Sequence, residues 1–457
     1  MTASREGPPL WSVVGGRDRG GVLVRAGPEL SAPKLPDRLS TGALVEEVEL
    51  LVLESAGERL HYRRLTGTGP EEGWITVALN SNVLAERAGQ AAADASAEPP
   101  SEQRPPALRR ISAAFHYTAS YDQITVEMQS ALERHEAFSV QRLYTTKELR
   151  QAAEREGFDW FHTITKMKHP SDYCPSAPLV GVMPHLYELE EKSLLQKFMN
   201  AHSFPSCIVG FVFERGAEEG PVEDALEDLK FPCIVKPSNE GGRRGIRLAE
   251  SSRDVFRAAR ALSRSTTWVV QRLEEPAFLL SGHKFHIRVF ALVHSRDGIT
   301  QIHMARRGPV YFSKQAYTAG DCKPESHLTG GGGTGYSRTW PSYLEQIVGM
   351  LPGLTVEDLK TSLMEQLQDL CRDFLVTVSR PARLSTGAYR LLAFDILLCA
   401  NPDRLFQAKV MEVNISPSSE FHDPDLRRDL AAGMLHLLWP EHFPPDNIFE
   451  HIATLSQ

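Results

Sequence analysis

Two carboxylates stand inside apolar runs near the end of the chain. Asp395 lies in Leu391-Leu-Ala-Phe-Asp-Ile-Leu397, and Glu412 lies in Val410-Met-Glu-Val413. Both runs read as strands, one over Leu391–Leu397 and the other from Gln407 to Asn414. An ionised carboxylate inside an apolar strand is costly unless something compensates it. Asn414 is two residues past Glu412, so it points to the same face. Oxygen donors of this kind suit Mg2+, which takes one or two carboxylates and completes its shell with water and substrate phosphate. The competing arrangement is a pair of buried carboxylates satisfied by Lys or Arg.

At 457 residues the chain is too long for one ordinary core, and two or three folding units are expected. With 42% hydrophobic and 24% charged residues, its composition is that of a globular protein. The net charge of −8 argues against a generally basic nucleic-acid binder, though not against a local basic cleft facing an acidic partner. The six cysteines form no C-x-x-C pair, and reduced thiols in a cytosolic protein are the simplest reading. Met1 to Gly21 has no apolar stretch of the secretory kind. No apolar run reaches the ~18 residues that span a bilayer, so no membrane partner is expected.

Residues Gly20 to Leu79 read as short strands and turns. Gly21–Arg25, Ala43–Leu50 and Arg59–Arg63 alternate, and Gly67-Thr-Gly69 turns the chain before Gly73-Trp74-Ile75. Four or five short strands within ~60 residues suggest a small all-β barrel over 10–82. The strand, Gly turn and Gly-Trp pattern resembles SH3-like modules, with Trp74 read as core and the module as a docking unit of unknown partner. Residues 83–108 are rich in Ala, Glu, Ser and Pro and read as a flexible linker. From there to about 450, strands and helices alternate as one α+β domain. Its expected helices are Thr145–Gly157, Glu188–His202, Ser252–Ser263, Val356–Thr377 and Asp425–Leu438.

Within this region, the strand Cys233-Ile-Val-Lys236 runs into a loop with Gly241, Gly242 and Gly245, and a second strand follows at once. Glycines let backbone amides approach phosphate oxygens, and a lysine supplies charge. The loop is neither a Walker A motif nor a Rossmann fingerprint. Alone, it reads equally as a phosphate cradle or as a Gly-rich hairpin with a surface lysine. Val269-Val-Gln271-Arg272 is an apolar strand with a polar edge, which can present backbone groups to an adenine or simply end a buried strand. In Gly282-His-Lys284-Phe-His286-Ile-Arg288-Val289, the basic and titratable side chains share one face. They suit an anionic ligand, or else a solvated sheet face. Arg306 and Arg307 follow on a neighbouring strand.

Taken in order, Lys192 in Glu190-Glu-Lys-Ser-Leu-Leu, Lys236, Gln271-Arg272-Leu-Glu274, Lys284-Phe-His-Ile-Arg288, His327-Leu-Thr329, Asp395 and Glu412-Val-Asn414-Ile-Ser416-Pro417-Ser418 resemble the tubulin tyrosine ligase-like family. The resemblance runs from about Pro184 to Leu438. It implies an ATP-grasp fold, with two α+β subdomains and ATP held between antiparallel sheets. It also implies an ATP-dependent ligase that joins a free amino acid to a tubulin tail, or to another protein with an acidic tail, through an acyl phosphate. In that reading Lys192, Lys236, Gly242, Gln271, Arg272, Lys284, His286, His327 and Thr329 would meet the nucleotide. Arg288, Arg306 and Glu412 would form the catalytic set, and Asp395, Glu412 and Asn414 would hold Mg2+. A cytoplasmic location follows, with association with microtubules or cilia left open.

The chain departs from the family at two places. His286 stands where Asp is usual, and Gly330 stands where the family reads H-L-T-N. Two other readings stay open on that account. One is an ATP-grasp ligase with a small-molecule substrate. The other is a catalytically impaired ATP-binding relic that serves as a binding module.

Overall fold

The structure is a computed structural model. It describes residues 9–16, 21–53, 57–79, 82–87, 110–117, 122–145, 147–148, 151, 157–163, 177–241, 243–261, 266–275, 278–318, 320, 322–330, 339–349, 353–382, 387–401, 406–417 and 423–456. The chain divides into two compact units, Met1–Ala107 and Leu108–Gln457.

The first unit holds β1 (Leu10–Val13), β2 (Val22–Arg25), β3 (Lys34–Leu39), β4 (Leu44–Leu53), β5 (Gly57–Arg64), β6 (Glu72–Thr76), β7 (Ala78–Leu79), β8 (Asn82–Val83) and β9 (Ala85–Arg87). Seven of these form an antiparallel sheet in the order β3-β2-β6-β5-β4-β1-β9, while β7 and β8 pair with each other. Among the described residues no pairing joins β3 to β9, so the sheet path is open and no closed barrel forms. Val24, Val45, Leu60, Tyr62 and Ile75 fill its core. Trp74 is buried and stacks on His61 at 4.7 Å. Ala85–Arg87, at the start of the expected linker, pairs with β1 instead. Residues 88–108 of that linker lie outside the described residues.

The second unit opens with β10 (Ile111–His116), helix α1 (Gln123–Glu133), β11 (Phe138–Leu143), β12 (Trp160–Thr163) and β13 (Leu179–Val180). Most of the helix expected over Thr145–Gly157 lies outside the described residues. A 3-10 turn over Pro184–Leu189 precedes α2 (Lys192–His202), so the expected helix is broken at Glu190 and Glu191. Next come β14 (Gly210–Glu214), α3 (Glu219–Leu229), β15 (Cys233–Pro237), β16 (Arg247–Ala249), α4 (Ser252–Ala261) and β17 (Thr267–Arg272). The chain continues with β18 (Leu279–Leu280), β19 (His283–Arg296), β20 (Ile299–Ala305), β21 (Val310–Phe312) and α5 (Val356–Ser379). It closes with β22 (Gly387–Ala400), β23 (Phe406–Asn414), α6 (Pro424–Leu438) and β24 (Phe449–Ser456).

The small sheet is antiparallel, in the order β14-β17-β15-β16. Val222, Leu226, Val255 and Ala258 of α3 and α4 pack on one of its faces with Val235, Trp268 and Val270. The large sheet has eleven strands. It is parallel from β11 to β22 and antiparallel from β22 through β19 and β20 to β24. Its antiparallel part, β23-β22-β19-β20-β24, answers to the second antiparallel sheet that the resemblance implies, and parallel strands extend it. Leu359, Leu363, Leu367, Leu370 and Phe374, spaced three and four apart on α5, cover one of its faces. Helices α1 and α6 cover the other through Met128, Leu132, Leu430 and Met434.

The middle of β19 depends on one close backbone approach. A Cβ on Gly308 would stand 2.0 Å from the carbonyl oxygen of Arg288. No side chain fits there without moving the strand. Gly308→Ala is therefore expected to destabilise the protein by about 1–3 kcal/mol and to lower Tm. Thermal and urea unfolding check this, and an unchanged midpoint would rule out the packing described.

Candidate active site

Strands β19 and β22 pair so that Arg288 faces Asp395. The guanidinium donates through Nε to Oδ1 at 2.7 Å and through Nη2 to Oδ2 at 2.9 Å. Both side chains are largely buried. Burial pushes Asp395 up, but Arg288, His286 and Asn414 outweigh it and hold the carboxyl below its usual range. Burial likewise works against the Arg288 cation, and Asp395 more than offsets it, so Arg288 is held above its ordinary value. A buried cationic partner for Asp395 is thus present, as the competing sequence reading allowed.

Strand β23 pairs with the other edge of β22. Asp395 is opposite Glu412, while Ile396 is opposite Val410, leaving Met411 as a bulge. That extra residue brings Glu412 across from Asp395. Asn414 then donates through Nδ2 to Asp395 Oδ2 at 3.3 Å. The three proposed metal donors therefore gather on one face.

Helix α2 supplies the link to the small sheet. Lys192, its first residue, places Nζ 3.1 Å from Glu412 Oε1 and donates to the Glu240 carbonyl at 2.8 Å. Glu191 accepts from the hydroxyls of Ser193 and Ser238, which ties the helix start to the Gly-rich loop. Lys236 is the last residue but one of β15 and is buried. Burial lowers its pKa to about 8, with Glu412 opposing the fall and Lys192 adding to it. Gly242 lies outside the described residues. Gln271 donates to Gln196 Oε1 at 2.8 Å, and its own Oε1 is buried without a partner. Arg272 pairs with Glu274 at 3.2 Å and stays partly exposed.

Lys284 and His286, on the site face of β19, are buried among polar partners. Lys284 donates to Glu275 at 2.7 Å, lies 2.9 Å from His327 Nδ1 and sits over the Tyr317 ring. Burial lowers its pKa, against the pull of Glu275. His286 Nδ1 meets Thr329 Oγ1 at 2.5 Å, and its ring stacks on Tyr311 at 4.8 Å. Gly330, at φ +87°, lies beside that ring, so the two departures from the family pattern are neighbours in space.

Arg306 stands apart. It follows the end of β20 and pairs with Glu450 at 3.2 Å with its side chain half exposed; among the described residues it makes no ion pair with Asp395 or Glu412. Arg307 pairs with Asp429. Several site residues were not anticipated from the sequence. Glu275 directly follows the Gln-Arg-Leu-Glu motif, but nothing in its spacing marked it. Tyr311 reaches His286 only by strand pairing. Lys409 and Glu274 form a buried pair at 3.3 Å between β23 and the segment after β17.

The residues present fit Mg2+ in one respect. Asp395, Glu412 and Asn414 are oxygen donors on one face, whereas no cluster of three or more His, Cys, Asp and Glu able to hold a metal exists among the described residues. No disulfide joins the five described cysteines. No described helix is long and apolar enough to cross a membrane.

A sequence model of the tubulin-tyrosine ligase family matches residues 183–447, more than half of the chain. Comparison with curated proteins returned no match.

Lys236, expected from the resemblance to meet the phosphates, would set a pH limit on their binding. Below about 8 the free site already carries the charge; above that value, binding must first restore the proton. Affinity for a nucleoside triphosphate is expected to fall by up to about tenfold per pH unit above that point. Lys236→Arg, charged throughout, should remove the fall. Titrations from neutral to alkaline pH check this, and a flat wild-type profile refutes it.

Proposed function

The chain belongs to the tubulin-tyrosine ligase family, and from that premise we propose that it is an ATP-dependent ligase joining a free amino acid to a protein carboxylate. The carboxylate oxygen attacks the γ-phosphorus of ATP, the bond to the β-phosphate oxygen breaks, and ADP leaves. The amine nitrogen then attacks the acyl carbon. Phosphate departs with the C–O electron pair, and the amine proton passes to solvent. Lys236 and Lys192 supply positive charge for the phosphates. Arg288 faces the developing negative charge while keeping Asp395 ionised. Mg2+, held by Asp395, Glu412 and Asn414, would offset charge on the phosphate oxygens.

The observation that carries this reading is the cross-strand alignment of Arg288, Asp395 and Glu412, joined to the small sheet by Lys192. A tubulin tail is the proposed protein substrate, with tyrosine, glutamate or glycine as the amine, in the cytoplasm and on microtubules or cilia. Arg306, partly exposed, is the proposed contact for the acidic peptide. The N-terminal unit is read as an SH3-like docking module, supported by its antiparallel sheet and the buried Trp74.

One observation favours a second reading, nucleotide binding without turnover. Both Asp395 oxygens are already engaged by Arg288. One experiment separates the two. Wild-type protein and Glu412→Gln are incubated with ATP, Mg2+, tubulin and isotope-labelled amino acids. Label on tubulin, reduced by about 100-fold or more in the variant, supports the ligase and names its amine. Tight ATP binding without ADP release supports the second reading. Absence of ATP binding sinks the site assignment.

A further inference from the structure

The parallel strands of the second unit leave a crevice that the candidate active site does not use. β10 pairs with β11 on one edge and with β12 on the other, all parallel, so the strand order reverses between β10 and β12. Open sheets of this kind bind ligands beyond the carboxyl ends of their strands, at such a reversal. Here that point holds a pocket of about 370 Å3, partly open to solvent. Asp122, from the connection after β10, lines it with His162 and Thr163 at the end of β12. Ile124, Met128, Leu391 and Met434 give it apolar walls. Leu391 and Asp395 take the same face of β22, four residues apart, so the pocket stands about 13 Å along the strand from Asp395.

The hydrogen bonds at the polar end of the pocket run one way. Trp160 Nε1 can only donate, and it donates to the Tyr389 hydroxyl at 3.0 Å. The Tyr389 O–H then donates to His162 Nδ1, and His162 Nε2–H donates to Thr125 Oγ1 at 2.8 Å. Thr125 in turn donates its hydroxyl to Asp122 and adds its backbone N–H at 3.1 Å. Every bond points toward Asp122, which ends the chain as an acceptor and so as a carboxylate. Asp122 is only 5% exposed. Among the described residues no cation lies within ion-pair distance of it. Arg390, the cation whose field reaches it, directs its guanidinium to the carbonyls of Thr163, Gly181 and Ile415 and to Ser416 Oγ. Burial raises the Asp122 pKa, and the Thr125 bonds and Arg390 oppose the rise without cancelling it. Capping α1 does not require the charge, since Asn or Ser caps a helix as well as Asp. A buried carboxylate of this kind lacks a positive partner.

We propose that this pocket binds a small organic ammonium ion, with Asp122 as its counter-ion and the apolar walls around its carbon chain. Such walls suit a carbon chain, whereas a bare metal ion takes oxygen donors all round. Two sources share this chemistry, the α-ammonium of a free amino acid and a simple aliphatic amine. Binding here needs no nucleotide and does not rest on the ligase reading.

Calorimetric titration and thermal unfolding of the full chain test this with propylammonium and alanine, and with propionate and propanol as controls, at matched ionic strength. Wild-type protein should bind an ammonium probe and gain Tm with it, and should ignore propionate and propanol. Tighter binding of alanine names an amino acid as the source; tighter binding of propylammonium names a simple amine. Asp122→Asn keeps the helix cap and should weaken the ammonium probe by about tenfold or more, with affinity for a non-hydrolysable ATP analogue unchanged. Pro417→Trp, at the partly exposed rim of the pocket, should block the probe while leaving Asp122 in place. No binding of either ammonium probe by wild type, equal binding of propanol, or full binding by Asp122→Asn overturns the proposal. Should Asp122→Asn lose its fold, Pro417→Trp decides, and binding that survives it overturns the proposal as well.

Discussion

The paired Arg288 and Asp395 are the constraint on which the second unit depends. Two parallel charge-assisted bonds join the two longest strands near their middle, inside the protein. Removing either partner would leave a buried charge uncompensated, at a cost of about 3–5 kcal/mol. The pair therefore specifies one register for β19 on β22. A slip of one residue would turn Phe285, Ile287 and Val289 out of the core under α5 and turn His286 and Arg288 into it. Because β23 pairs with the opposite edge of β22, the same contact also places Glu412 and Asn414.

Charge in the site is balanced across two sheets rather than within one. The small sheet brings the buried Lys236, and the large sheet brings both carboxylates. Lys192 bridges them at the first turn of α2 and binds the loop between β15 and β16 at the same time. The buried Lys409–Glu274 pair ties the same two parts together at a second point. Buried ion pairs of this kind add little net stability, but they penalise any arrangement that leaves one member alone. They select a geometry.

Much of this was legible in the sequence because it is periodic. Alternation along Lys284–Val289 separates the site face of β19 from its core face, and the structure keeps that division. Asp395 and Glu412 were conspicuous as charges in apolar strands. The helix expected over Val356–Thr377 forms as α5. Helices α1 and α3 and strand β24 were not anticipated, since short or weakly alternating segments carry little periodic signal. The break before α2 was hidden in the same way. Glu190 and Glu191 are good helix formers, yet Glu191 stands at the N-cap without a side-chain bond to the helix backbone, its carboxylate accepting instead from the hydroxyls of Ser193 and Ser238.

The sequence by itself determined which residues carry charge, which faces are apolar, and that two carboxylates needed compensation. Only the tertiary structure decided what compensates them. Asp395 was open to a metal or to an arginine, and strand pairing across more than a hundred residues gave it Arg288. Tyr311 and Thr329 hold His286 from two separate segments, a grouping no local spacing encodes. Arg306, grouped with Arg288 only by the resemblance, went to Glu450 at the sheet edge. The physical reason is common to all three. Periodicity along a chain reports which face a side chain takes, whereas its partner on that face is set by register and packing between strands far apart in sequence.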